Sequence, residues 1–398
     1  MQIRKHLSEF IKRETVLCIA GLLAVVSVFF VPPDGEYAGY IDFRTLAVLF
    51  CLMCVVAGLQ KIGVFEWIAG RLLGKVKTAR GIVLVLVFLC FFLSMLITND
   101  VALITFVPFT FTVLKLLGRQ EAERLVLPVV GMQTIAANLG SMLTPIGNPQ
   151  NLYLYGKSGL SLRAFLELML PYTVLSLALL FLWAMILGGR RGKSGSDEKN
   201  NSEKGGFGEK RPDGEADLLS GGTLRMLVVY LALFFLCLLS VGRFLPWQAV
   251  LAVLFLTVLV TDRKVFLRVD YSLLFTFAGF FVFIGNMGRI PAFRGFLQQI
   301  VTGRETLTAI LASQAISNVP AALLLSGFSE NYESLIIGTN LGGLGTLIAS
   351  MASLISYKYV ARQESGRKGE YIRIFTLGNL GFLAALMGLA GWMRLWAA

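Results

Sequence analysis

Histidine and charge are what this sequence has least of. Its one histidine, His6, stands in a polar leader, so imidazole chemistry, whether a hydrolytic triad or a zinc site, has nothing to work with. Charged residues make up 15% of the 398, hydrophobic ones 56%, and the mean hydropathy is +0.72. A water-facing surface does not tolerate that balance, so lipid has to cover most of it. The five cysteines, Cys18, Cys51, Cys54, Cys90 and Cys237, all fall inside apolar runs, which argues against a disulfide framework. Cys51 and Cys54 have a metal-ligand spacing, yet no histidine or further cysteine accompanies them, and ordinary helix packing is the better reading. Neither a metal site nor a covalent cofactor is expected.

What is present is a series of apolar runs: Val16 to Val31, Thr45 to Leu59, Thr173 to Leu187, Leu224 to Val241, Ala249 to Val260, Leu273 to Met287 and Phe375 to Trp396. Crossing a hydrocarbon core takes roughly 20 helical residues, and no water is there to satisfy the backbone, so these runs are read as helices. They are continuously apolar rather than alternating, which excludes a transmembrane barrel. The net charge of +12 raises the question of nucleic acid. The basic residues, however, gather in loops that one topology places on a single side: Arg4, Lys5, Lys12 and Arg13; Lys61, Arg71, Lys75, Lys77 and Arg80; Arg190, Arg191 and Lys193; Arg263, Lys264 and Arg268; Lys358, Arg362, Arg367, Lys368 and Arg373. That is the positive-inside bias, with the amino terminus cytoplasmic, and no nucleic-acid partner is expected. The first run ends at Val31, Pro32 and Pro33 without a small-residue cleavage site and is read as an inner-membrane anchor helix.

Residues 189–222 are rich in Gly, Ser, Lys, Glu and Asp and are expected to form a disordered cytoplasmic linker. They divide the chain into two apolar halves that match in part. Asn138-Leu139-Gly140 aligns with Asn340-Leu341-Gly342, and reading on without gaps pairs Thr144 with Thr346, Ile146 with Ile348, Leu152 with Leu354 and Tyr155 with Tyr357. Upstream, Thr98-Asn99-Asp100 and Ser317-Asn318-Val319 interrupt two further apolar runs. Treated as hairpins that enter and leave by the same face, at residues 81–117 and 305–326, both runs fit the charge pattern and make the halves antiparallel. The expected organisation is a leader and first helix (1–40), a first inverted repeat (41–188), the linker, additional transmembrane helices (223–262) and a second inverted repeat (263–398). In sum this is an all-α polytopic membrane protein of about nine spans plus two re-entrant hairpins, with an external carboxyl terminus.

A helix broken at mid-depth leaves free amides at one new end, worth roughly half a positive charge, and free carbonyls at the other; the first suits anions, the second sodium. Asn99 and Asn318 are expected N-caps of the returning halves, and Thr98 and Ser317 add hydroxyl oxygens. Pro145, Gly147 and Pro149 should unwind Thr144 to Asn151, and Gly342, Gly343 and Gly345 the matching stretch before Thr346. The Gly147 region fits no phosphate-cradling loop. Asp100 is a carboxylate inside an apolar run, where it needs a partner, a proton or an ion; a helix-start carboxylate held by free amides is the structural alternative.

Ile97-Thr98-Asn99-Asp100-Val101-Ala102-Leu103-Ile104 and Gly338-Thr339-Asn340-Leu341-Gly342-Gly343-Leu344-Gly345-Thr346-Leu347-Ile348 resemble the arsenite-permease and citrate-transporter-like branch of the ion transporter superfamily, notably its bacterial anion permeases. The resemblance implies a scaffold with a mobile transport part, an elevator-type secondary transporter, and a homodimer. Gly378, Gly381, Gly388 and Gly391 could equally serve packing within one protomer. Dicarboxylate symporters of the superfamily carry Ser-Asn-Thr at both tips, whereas this chain has Thr-Asn-Asp and Ser-Asn-Val, which tilts it toward the arsenite-permease side.

The expected function is secondary active transport of a small inorganic or organic anion coupled to sodium or protons, the alternative being a sodium/proton antiporter using Asp100. An enzyme would need a cluster of acid, base or metal residues in the spans, and Asp100 stands alone there. Broken inverted repeats suit alternating access better than a passive channel. The substrate is expected to meet Thr98, Asn99, Asp100, Asn148, Ser317, Asn318, Val319 and Thr346. The coupling ion is expected at Thr98, Asn99, Asp100, Gly147, Ser317, Asn318 and Gly345.

Overall fold

A computed structural model describes residues 10, 14–76, 78–189 and 221–397. His6, most of the basic leader and residues 190–220 of the expected linker lie outside the described residues; Gly189, Gly221 and Gly222, expected in the linker, are helical. In chain order the helices are α1 (Thr15–Val28), α2 (Tyr37–Tyr40), α3 (Phe43–Lys61), α4 (Val64–Leu73), α5 (Ala79–Ile97), α6 (Asn99–Lys115), α7 (Arg119–Ser141), α8 (Pro149–Ser158) and α9 (Leu162–Gly189). After the undescribed stretch come α10 (Gly221–Val241), α11 (Trp247–Asp262), α12 (Tyr271–Gly288), α13 (Pro291–Val301), α14 (Glu305–Ile316), α15 (Asn318–Ser326), α16 (Tyr332–Gly342), α17 (Met351–Gln363) and α18 (Lys368–Ala397). Among the described residues six helices are long and apolar enough to cross a membrane: α3, α5, α9, α10, α12 and the one ending the chain. The protein is thus an all-α, multi-spanning membrane protein.

The chain folds into two compact units. The first comprises Met1–Ala57, Pro149–Ser161 and Ala232–Gly342. Within it α1 lies along α12, where Gly279 lets the backbone of Ala20 approach and Gly285 sits under the ring of Tyr40. Asn286 Nδ2 fastens the pair by donating to Ser27 Oγ at 2.9 Å and to Tyr37 OH at 2.8 Å. Beyond α12, Arg289 Nη1 donates to Asp34 Oδ2 at 2.6 Å and holds that carboxyl below the usual carboxylate range. Elsewhere in this unit α14, α15, α16 and α8 pack together.

The second unit comprises Gly58–Asn148, Leu162–Leu231 and Gly343–Ala398. Its axis is α7, whose whole length from Leu125 to Ser141 is buried apart from Pro128, so its polar side chains must be satisfied by neighbours. They are: Gln133 Nε2 donates to the Leu86 carbonyl at 3.1 Å and its Oε1 accepts from Thr110 at 3.0 Å, while Thr134 and Ser356 hydroxyls bond at 2.8 Å. Helices α5, α6, α17, α18 and α9 surround α7. On α18, Gly378 is covered by Trp183 and Ile135 of the same unit, whereas Gly381, Gly388 and Gly391 face open space. Packing within the protomer therefore accounts for Gly378.

Candidate functional site

Each interrupted apolar run is cut by a single residue. Between α5 and α6 this is Thr98, at φ 73° and ψ 150°; between α14 and α15 it is Ser317, at φ 72° and ψ 154°. An L side chain there crowds its own backbone, and the region is nearly reserved for glycine. Only Arg243 among the other described non-glycine residues has a positive φ. Two strained hydroxyl residues in the same conformation, each followed by asparagine at the first position of a new helix, correct the expectation that Asn99 and Asn318 are N-caps. The cap positions belong to Thr98 and Ser317, whose side chains make no capping hydrogen bond, because the turn residue itself ends one helix and starts the next.

That frees the asparagine side chains for other work. In the second unit Asn99 Nδ2 donates to Asn138 Oδ1 at 2.9 Å, its Oδ1 accepts from the Asp100 amide at 3.0 Å, and its backbone amide donates to the Gly147 carbonyl at 3.2 Å. Asn138, 5% exposed, also accepts from Ser350 Oγ at 3.1 Å and donates to the Gly343 carbonyl at 3.4 Å. One buried amide on α7 therefore ties the tip at Thr98 to the irregular stretch that leads into α17.

The unwound stretch 142–148 closes over the same place. Thr144 Oγ1 donates to the Met95 carbonyl at the end of α5, and Asn148 Nδ2 donates to Ser141 Oγ at 3.3 Å. A Cβ on Gly147 would run into the Ser141 backbone, so the tight turn requires glycine. Gly345, at φ 112°, turns the matching stretch. Unwinding was expected through Asn151; the helix instead resumes at Pro149, because proline is at home at a first helical position, where its missing N–H has no intrahelical partner to lose.

In the first unit the tip is held differently. Ser317 Oγ donates to Asn318 Oδ1 at a long 3.4 Å, and Gln314 Nε2 reaches the Gly342 carbonyl at 2.9 Å. Asn340, the sequence counterpart of Asn138, donates instead to Asn151 Oδ1 at 2.6 Å, joining α16 to α8.

Of the expected site residues, Thr98, Asn99, Asp100, Gly147, Asn148, Gly345 and Thr346 thus belong to the second unit and Ser317, Asn318 and Val319 to the first. Asn99 and Gly147 are bonded directly, Asp100 is half-buried in the first turn of α6, and Thr346 is exposed. A carboxylate in that turn is favoured by the free amides of the helix start. Asn138 and Ser350 were missed as site residues; the signal was the repeated Asn-Leu-Gly, which marks Asn138 as a polar group in an otherwise buried helix. Among the described residues no group of three or more His, Cys, Asp or Glu comes together, and the oxygens near the tip are amide, hydroxyl and backbone carbonyl, with the Asp100 carboxylate in the first turn of α6.

Long apolar helices, two of whose companions are broken at buried positions, suit a membrane transport protein. Residues 5–331 match the model of the citrate transporter family, and the chain belongs to that family. It is 32% identical to the inner membrane protein YbiR of Escherichia coli over 85% of this chain and 86% of that one. It is also 32% identical to a transporter of Methanocaldococcus jannaschii, MJ0456, over 80% and 81%. A shorter match, 29% identical over 39% of this chain and 31% of the relative, is to the silicon efflux transporter LSI3 of rice.

Proposed function

We propose that the chain is a secondary active transporter that moves a small inorganic or organic anion across the cytoplasmic membrane, coupled to sodium or protons. The observation that carries this reading is the pair of one-residue breaks at Thr98 and Ser317, alike in backbone conformation and each opening a helix with an asparagine. The positive dipole ends of the helices that start at Asn99 and Asn318 suit an anion, and the carbonyl ends beside them suit sodium. On this reading the substrate meets Thr98, Asn99, Asp100, Asn148, Ser317, Asn318, Val319 and Thr346, and the coupling ion Thr98, Asn99, Asp100, Gly147, Ser317, Asn318 and Gly345. An inverted repeat with elevator-type movement, a cytoplasmic amino terminus and an external carboxyl terminus complete the proposal. The inner-membrane relative and the charge bias of the loops support it.

Purified protein in liposomes, under an imposed sodium or proton gradient, should accumulate or release at least one of labelled citrate, phosphate, arsenite or silicic acid. Silicic acid belongs in the panel because of the rice relative. No gradient-dependent flux across the whole panel rejects the reading. Asp100 in the first turn of α6 favours a second one, sodium/proton exchange. Asp100→Asn should then abolish sodium-driven pH change in the same liposomes, and unchanged exchange removes the residue from the mechanism.

A further inference from the structure

The first unit has a polar cavity of about 280 Å³ that none of the helix breaks lines; its walls include Tyr40, Asp42, Arg44, Gly156 and Lys157. The charges in it are not balanced. Asp42, the one acid, is occupied at both oxygens by its own helix: Oδ1 accepts from the Thr45 amide at 3.0 Å and Oδ2 from the Thr45 hydroxyl at 2.7 Å. The acids of the preceding loop, Asp34 and Glu36, are taken by Arg289, at 2.6 Å and 3.5 Å. Arg289 also donates to the Tyr40 hydroxyl at 3.0 Å, which leaves the phenol's own O–H to donate. Nearby Arg243 is spent on Tyr155, donating to its carbonyl at 3.2 Å and lying 5.4 Å over its ring. Arg44 and Lys157, by contrast, have no hydrogen-bonding or ion-pair partner among the described residues.

A guanidinium, an ammonium and a phenol O–H therefore share one cavity as donors, against a single carboxylate that already accepts a bond at each oxygen. We infer that this cavity binds an oxyanion of the phosphate or carboxylate class, held by the Arg44 fork and the Lys157 ammonium. Two like charges in one recess repel, and an anion between them turns that repulsion into two charge-assisted hydrogen bonds. Arg44 supplies the planar geometry that oxyanions match, and Lys157 a mobile point charge. The phosphate of an anionic lipid headgroup and a dissolved anion share this chemistry.

The inference concerns binding alone and stands or falls independently of transport. Purified full-length protein in detergent would be titrated with inorganic phosphate while its thermal unfolding is followed. In parallel, native mass spectrometry would count adducts of phosphatidylglycerol against phosphatidylcholine. At least one probe should bind, and Arg44→Gln with Lys157→Gln should weaken it roughly tenfold while Arg44→Lys retains most of it. Phosphate-dependent stabilisation assigns the site to a dissolved anion, and a phosphatidylglycerol preference to a lipid headgroup. Should the double variant not fold, Lys157→Gln alone, on an exposed side chain, decides by a several-fold loss. Binding of neither probe, or equal binding by wild type and the charge-removing variant, overturns the inference.

Discussion

The two units contain the same local construction with one connection changed. In the second, α5 and α6 form the broken pair, both lie on α7, and α17 packs against α6 and α7. In the first, α14 and α15 form the pair, both lie on α16, and α8 packs against α15 and α16. Even the close approach is shared: a Cβ on Gly140 would sit 2.6 Å from Ser94 Oγ, and one on Gly342 would sit 2.5 Å from Ser313 Oγ. What differs is the use of the asparagine in the repeated Asn-Leu-Gly. Asn138 bonds the Asn99 side chain at the Thr98 tip, whereas Asn340 donates to Asn151, and near the Ser317 tip it is Gln314 that reaches the end of α16, at the Gly342 carbonyl. The same helices therefore hold the two tips through different side chains, and a carboxylate, Asp100, accompanies only the tip at Thr98.

The largest effect should come from filling the shared close approach. Gly140→Ala pushes a methyl into the Phe91 carbonyl as well as Ser94, and backbone cannot rotate aside, so it should destabilise the protein by about 3 kcal/mol. Gly342→Ala meets Ser313 Oγ, which can rotate aside, but also Ser313 Cβ at 2.8 Å and the Ile310 backbone at 3.1 Å, which cannot, and should cost somewhat less, about 2 kcal/mol. Thermal unfolding of the purified variants tests the ranking, and equal losses would mean that the two approaches are equally rigid.

Next is the changed connection. Asn138→Ala strands the Asn99 amide group and the Ser350 hydroxyl in a buried place, a loss of about 2 kcal/mol. Because it frees a tip, liposome transport should fall further than the melting temperature suggests. Asn340→Ala breaks the brace to α8 and the bond to the Ile336 carbonyl, and should lower stability by a similar amount of about 2 kcal/mol while transport follows the folded fraction. If transport falls alike in both variants once corrected for folded protein, latching of the first tip is not what distinguishes the units.

Much of this was readable in the chain before any coordinates. Apolar runs gave the long helices, because hydrocarbon leaves the backbone no alternative to helix, and the break at Thr98 and Ser317 was marked by polar residues where the solvent forbids them. Pro145 and Gly147 announced an unwound stretch, though not its end, since Pro149 is as good a helix start as a helix breaker. The exchange of half-helices was hidden: nothing in Pro149 to Ser158 says that it packs with α15 and α16, which come more than a hundred residues later. Nor could spacing tell that Asn138 and Asn340, each in Asn-Leu-Gly, find different partners. Partner choice is decided by tertiary geometry, and a motif records only that a polar group is needed.

The smallest effect isolates the tips themselves. A non-glycine residue in the conformation of Thr98 and Ser317 costs on the order of 1–3 kcal/mol, and glycine adopts it freely, so Thr98→Gly and Ser317→Gly should each stabilise the fold by about 1 kcal/mol after the entropy glycine adds to the unfolded chain. The gain should be larger at Ser317, where the lost hydroxyl made only a 3.4 Å bond. If the hydroxyls serve substrate or coupling ion, both variants combine higher melting temperatures with lower transport, because strain kept at a site against stability is kept for what the side chain does there. A variant that gains stability and transports as well as wild type would show that its hydroxyl only marks the turn, and would shift the site toward Asn99, Asn318 and the backbone around them.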